Sequence, residues 1–177
     1  MLIFIRHGEK LYYNGRSETL KHDSPLTENG KEEATRFGKE LIEKYGNPSY
    51  VFSSPYLRCR ETAIAMMAAS ENGNSSFELY IDRRVSEYLG HHREEPLDVT
   101  EETLRYDPPH PEHFKELAAR VEDAFHAYEK LESSDGPIWV ITHGIVLSLI
   151  NNGLGRPPKR GRSFGFLGTV IVQDRRQ

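Results

Sequence analysis

Cysteine is almost absent from this chain. Cys59 is the only one, so no internal disulfide framework can brace the fold, and a lone thiol fits a reducing cytosol. Long hydrophobic runs are missing too: nothing approaches the ~18 consecutive apolar residues of a membrane-crossing helix. The opening run Met1-Leu2-Ile3-Phe4-Ile5 is too short for a secretory core and carries neither a basic leader nor a small-residue cleavage site. A cytoplasmic protein without a membrane partner is therefore expected, and the sequon Asn74-Ser75-Ser76 reads as chance. No excess of one charge is present. Lys and Arg total 23 against 27 Asp and Glu, a net charge of -4, which argues against nucleic acid as the partner. Repeats and low-complexity tracts are lacking. So is His-Glu-x-x-His: His91-His92 and His110-Pro111-Glu112-His113 have neither that spacing nor a thiolate partner, so no metal or other cofactor is expected.

What is present suits one globular domain over residues 1–177, with 37% hydrophobic and 28% charged residues. Leu2-Ile3-Phe4-Ile5 reads as a buried strand that ends on the polar Arg6-His7. Thr27 caps a helix whose apolar positions Phe37, Leu41 and Ile42 carry it to Tyr45-Gly46. Val51-Phe52-Ser53 is a second strand, and Ser54-Pro55 opens a second helix, with Ser54 as its cap, running to Asn72-Gly73. Residues 77–81 alternate as a half-buried strand. Residues 82–110 lack periodicity and read as a small, cap-like excursion. Pro111 begins an amphipathic helix to Leu131, Pro137 to Thr142 is a buried strand, and a helix follows to Leu149 or Ile150. A Gly/Pro/Arg loop at 153–162 precedes a last strand over 164–172, which can lie at a sheet edge. Strands alternating with helices predict a three-layer α/β/α sandwich with a mostly parallel sheet.

Ligands of such sheets bind beyond the C-terminal strand ends. Arg6-His7-Gly8-Glu9, Ser53-Ser54-Pro55 leading to Arg58, and Thr142-His143-Gly144 all sit at such ends and converge in this topology. The pocket would hold Arg6, Arg58, His7, His143 and two helix N-termini, one of them at Gly144. Guanidinium groups and free helix N–H groups suit a dianionic phosphate, and phosphoryl transfer depends on positioning and charge stabilisation of this kind. A neutral histidine is a competent nucleophile for covalent catalysis, provided its other ring nitrogen carries the proton; a carbonyl near Gly8 could hold that tautomer.

These blocks, with Leu26-Thr27-Glu28-Asn29-Gly30, resemble in order and spacing the histidine phosphatase superfamily, which includes the cofactor-dependent phosphoglycerate mutases. The resemblance spans nearly the whole chain and implies a phosphoglycerate mutase-like fold. It implies that His7 is a phosphohistidine nucleophile, that Arg6, Arg58 and His143 hold the phosphoryl oxygens, and that Glu87 is the proton donor to the leaving group. Glu94 and Glu95 lie close to Glu87 in the same excursion. Two positions depart from the family pattern. Lys10 stands where Ser or Thr is common, either adding positive charge at the mouth of the site as a substrate-binding residue or simply solvated. Asn14 falls one residue late for a phosphate contact.

The reading is a metal-independent phosphomonoesterase acting on a small-molecule or protein phosphomonoester, through His7 and then water. A phosphoglycerate mutase-type transferase, a protein-phosphohistidine phosphatase and a non-catalytic phospho-ligand binding module stay open as alternatives. Cys59, within a helix, reads as packing rather than as a cysteine nucleophile. Arg83, Arg84, His91, His92 and Arg93 are either a basic rim that selects anionic substrates or a hydrated loop.

Overall fold

The computed structural model describes residues 1–11, 23–68, 78–88, 112–131, 136–153 and 164–173. Expectations for Asn14, His91 to Glu95, His110, most of the 82–110 excursion and nearly all of the 153–162 loop lie outside them. The elements in chain order are β1 (Leu2–Arg6), α1 (Glu28–Tyr45), β2 (Tyr50–Ser53), α2 (Leu57–Met67) and β3 (Leu79–Ile81). A single 3-10 turn at Arg83–Val85 follows, then α3 (Phe114–Glu129), β4 (Ile138–Thr142), α4 (Gly144–Asn152) and β5 (Thr169–Val172). None of the described helices is long and apolar enough to cross a membrane.

The strands form one sheet in the order β3-β2-β4-β1-β5. The first four run parallel, and β5 pairs antiparallel with β1 at the edge. β4 is apolar up to Thr142 and buried at every position because helices cover both its faces. Phe4 and Val140 point to one face, where they pack with Leu117, Val121 and Tyr128 of α3 and Val146 and Leu147 of α4. Ile3, Ile5, Trp139 and Ile141 point to the other, against Ala34 and Leu41 of α1 and Cys59, Ala63 and Met66 of α2. This alternation gives the α/β/α layering and the mostly parallel sheet expected from the sequence. Each large side chain so buried contributes ~1.5–3 kcal/mol.

Two glycines set distances that position the site. A Cβ on Gly38 would collide with the Met66 carbonyl, so α1 and α2 cross in contact there. A Cβ on Gly30 would collide with the Glu9 carbonyl, which holds the chain after His7 against the start of α1. Thr27 caps α1 as predicted, its Oγ1 accepting from Gly30 N–H at 2.8 Å. The Glu9 carboxylate in turn accepts from the Thr27 hydroxyl at 2.8 Å.

Several expectations need correction. Ser54 does not cap α2; the N-cap position is Tyr56. The Asp23 carboxylate takes the role instead, accepting from Leu57 N–H at 2.7 and 2.8 Å. α3 begins at Phe114 rather than Pro111, with Glu116 accepting from His113 N–H at 2.7 Å. β5 starts at Thr169, because Phe164 to Gly168 turns back on itself with Gly168 N–H donating to Gly165 O at 3.0 Å. The excursion opens with the ordered turn at Arg83–Val85, capped by Asp82 accepting from Arg84 N–H at 2.9 Å.

Candidate active site

Strand register brings the three motif blocks together. Arg6 of β1 lies beside Thr142 of β4, and Ser53 of β2 lies beside Ile141. The residues that follow these strand ends, His7, His143 and Ser54, are all buried. The His7 backbone N–H donates to Thr142 O at 3.0 Å, and Gly8 N–H donates to Thr62 Oγ1 at 2.9 Å. Thr62 itself donates to Arg58 O at 2.6 Å, so one hydroxyl ties the His7 loop to α2.

The His7 ring places Nδ1 at 2.8 Å from Gly8 O. A carbonyl only accepts, so Nδ1 carries the proton and Nε2 keeps its lone pair. Burial, then His143, Arg58 and Arg6, lower the His7 pKa from 6.5 to about 2 against the raising effect of the Gly8 bond. The imidazole is therefore neutral throughout the ordinary pH range.

His143 is 0% exposed. Its Nε2 lies 2.8 Å from Ser54 Oγ, and its Nδ1 lies 3.1 Å from Glu87 Oε2. The carboxylate must accept, so Nδ1 holds the proton and the Ser54 hydroxyl donates to Nε2. Ser54 lies two residues before the Tyr56 N-cap of α2, so its side chain serves His143 and not the helix. Burial lowers the His143 pKa from 6.5 to about 4 although Glu87 opposes it. Burial alone would raise the Glu87 carboxyl; His143, Arg58 and His7 together outweigh it and hold the group ionised, well below the usual carboxylate range.

Arg58, 1% exposed, lies over the Tyr56 ring at 4.3 Å and pairs with Glu87 at 3.4 Å and Asp23 at 3.6 Å. Arg6 lies over Phe166 at 4.9 Å and donates to Phe164 O. Its buried Nε has no hydrogen-bond partner among the described residues, which leaves a donor available to an anion. Gly144 starts α4 beside the Arg6 guanidinium, and a Cβ there would lie 3.6 Å from Arg6 Nε, an ordinary contact. Arg6, His7, Arg58, Glu87, His143 and Gly144 are thus gathered at the strand ends. Lys10 is placed by its backbone, in a bridge with Leu26. At the second expected helix N-terminus, Asp23 already occupies the Leu57 N–H of α2.

A basic rim does not include Arg83 and Arg84. Arg83 is buried, and Arg84 is neutralised by Asp82 and Asp123, each at 2.7 Å. Cys59 is fully buried, and burial pushes its thiol well above the usual range, consistent with packing rather than nucleophilic chemistry. Asp23, Thr62 and the Phe164–Gly168 turn were not anticipated as site residues. Asp23-Ser24-Pro25 carried a cap-like signal, but too far from α2 along the chain to be assigned to it. The two glycines around Phe166-Leu167 marked a turn within the expected strand, and Leu167 adopts φ 56° there.

His7, Glu87 and His143 have ligand atoms within 4.8 Å of one another, the one such group among the described residues that could hold a metal. The Arg58 guanidinium, 3.4 Å from Glu87 and 3.5 Å from His143 Nδ1, already supplies the positive charge at that place.

Buried neutral histidines make stability depend on acid. The unfolded chain binds protons on His7 and His143 near 6.5 and the folded chain does not, so their contribution is complete above that value and is lost as pH falls, down to about 4 for His143 and about 2 for His7. Thermal melts are expected to hold a level Tm above neutrality and a falling one below it, with a shallower fall in His143→Gln. A Tm that stays level through this window would contradict the assignment.

Residues 2–173 match the family model described as the histidine phosphatase superfamily (branch 1). An uncharacterized phosphoglycerate mutase family protein of Acanthamoeba polyphaga mimivirus is 32% identical over 160 residues, 82% of this chain and 74% of the viral one. Among solved structures, the ecdysone phosphate phosphatase of Bombix mori, in complex with tungstate, is similar with a TM-score of 0.69 at 19% identity, covering 95% of this chain and 86% of that one. A mycobacterial glucosyl-3-phosphoglycerate phosphatase is similar with a TM-score of 0.63 at 21% identity, covering 94% and 86%. At these identities the two structures speak to the fold.

Proposed function

Because this chain belongs to the histidine phosphatase superfamily, branch 1, we propose that it is a cytoplasmic, metal-independent phosphomonoesterase that works through a phosphorylated His7. The observation that carries the reading is the His7 ring itself: neutral, with its proton fixed on Nδ1 by Gly8 O at 2.8 Å and its Nε2 lone pair beside a cluster of cationic donors.

The dianionic phosphate of the substrate binds between Arg6, Arg58 and His143. Nε2 attacks phosphorus, the N–P bond forms, the P–O bond to the alcohol breaks, and Glu87 gives the departing oxygen its proton. Water then attacks phosphorus on the opposite side of the N–P bond. Glu87 takes the water's proton, the N–P bond breaks, inorganic phosphate leaves, and His7 is neutral again. Glu87 must be protonated when the first step begins. In the resting site Arg58 and His143 keep it ionised. A bound dianion draws both of those groups onto its own oxygens and sets negative charge beside the carboxylate, and both changes raise its pKa.

The substrates proposed are small phosphorylated molecules, the class named for both phosphatases above. The metal-independent reading is supported by the charge of Arg58. The test is turnover of 4-nitrophenyl phosphate from mildly acidic to neutral pH, with and without a chelator. Release of inorganic phosphate that the chelator leaves unchanged is expected. Loss of activity with chelator refutes metal independence, and phosphate passing only to a second phosphorylated acceptor makes the protein a mutase.

A further inference from the structure

Arg120, in the first half of α3, touches none of the groups that would meet substrate, yet its five N–H bonds all end around Glu87. Nε and Nη2 donate to the two oxygens of Glu112 at 2.5 and 3.0 Å. Nη1 donates to Arg84 O at 2.7 Å and Ser86 O at 3.0 Å, and Nη2 also donates to Glu87 O at 3.0 Å. The Thr142 hydroxyl takes Val85 O at 2.6 Å, so the four consecutive carbonyls from Arg84 to Glu87 are all held. The Glu112 side chain is 0% exposed and that of Arg120 is 13% exposed. A planar guanidinium with every donor engaged and its counter-ion buried has a single geometry, which fixes the peptide that carries Glu87.

We propose that Arg120 is the positioning residue of the proton donor: a clamp from α3 that sets the Glu87 backbone so that its carboxyl meets the leaving oxygen. The inference rests on the reading of Glu87 as that donor. Glu112 is the second half of the device, since it orients the guanidinium edge-on to the three carbonyls. Lysine in place of Arg120 keeps the charge but offers three donors in no fixed plane, so it cannot reproduce the clamp.

The test compares kcat/KM for two substrates, because kcat/KM covers only the steps up to loss of the alcohol. Phenyl phosphate needs a proton on its leaving oxygen; 2,4-dinitrophenyl phosphate does not. Glu87→Gln, Arg120→Lys and Glu112→Gln are each expected to lower kcat/KM for phenyl phosphate by about 10²-fold and to leave the dinitrophenyl ester little changed. General disruption of the fold would lower both alike. If Glu87→Gln shows no such split, the reading of Glu87 fails. If Glu87→Gln shows it but Arg120→Lys and Glu112→Gln lose activity equally on both esters, or not at all, the clamp is overturned and the donor stands. Glu112→Gln differs from the native side chain in one group, which keeps the comparison open if Arg120→Lys folds poorly.

Discussion

His7→Ala is expected to lower aryl phosphate turnover by at least about 10⁴-fold, the scale on which removing a covalent nucleophile acts. The proposed route passes through an N–P bond at Nε2, and neither His143 nor Cys59 is placed to replace it. The other buried imidazole, His143, has Nδ1 facing Glu87 and Nε2 facing Ser54, so neither nitrogen is free to attack. Cys59, the other conceivable nucleophile, is kept protonated by burial. Wild-type protein denatured in alkali during turnover should carry phosphate that is stable in alkali and released by acid, as a phosphoramidate is, and His7→Ala should carry none. Full activity in the variant would refute the mechanism. A labelled variant with no turnover would move the nucleophile elsewhere.

Arg58→Ala is expected to cost more than activity. Its loss from the phosphate contacts should lower kcat/KM by about 10²–10³-fold. It also leaves the Asp23 carboxylate, 0% exposed, without the guanidinium 3.6 Å away. Removing one partner of a buried ion pair costs ~3–5 kcal/mol, to which the lost packing on Tyr56 adds. The two effects separate in a double variant. Asp23→Asn still offers a carbonyl to the Leu57 N–H but removes the charge, so Arg58→Ala/Asp23→Asn should recover much of the lost Tm and none of the lost activity. Recovery of activity along with stability would mean that Arg58 acts only as a structural cation.

The sheet was legible because its strands are apolar runs and its helices are amphipathic: Leu2 to Ile5, Ile138 to Ile141 and the Phe37-Leu41-Ile42 face follow burial directly. The convergence of Arg6, His7, Arg58 and His143 was legible because a parallel sheet delivers its strand ends to one edge, whereas Glu87 was legible only through the family resemblance. Contacts that depend on which polar group wins a competition were not. Ser54 looks like a cap by type and place, yet its hydroxyl is given to His143, and a carboxylate far back in the chain caps α2 instead. Arg120 reads as one more charged residue of a surface helix until Glu112 and the Glu87 peptide are folded around it. Phe166 reads as strand until the turn sets its ring 5.9 Å from that of His7.

The position of β1 bears on how the protein is made. β1 is synthesised well before the two strands it pairs with, β4 and β5, and its end donates hydrogen bonds to both neighbourhoods: Thr142 O receives the His7 N–H, and Gly168 O receives the Arg6 N–H. A nascent chain on the ribosome can form α1 and α2 early, since their contacts are local, but must hold an apolar strand unpaired until the far end of the sheet emerges. Catalytic competence therefore arrives late and all at once. Until β4 and β5 are made, residues 2–5 are an apolar strand without the partners they pair with in the finished sheet.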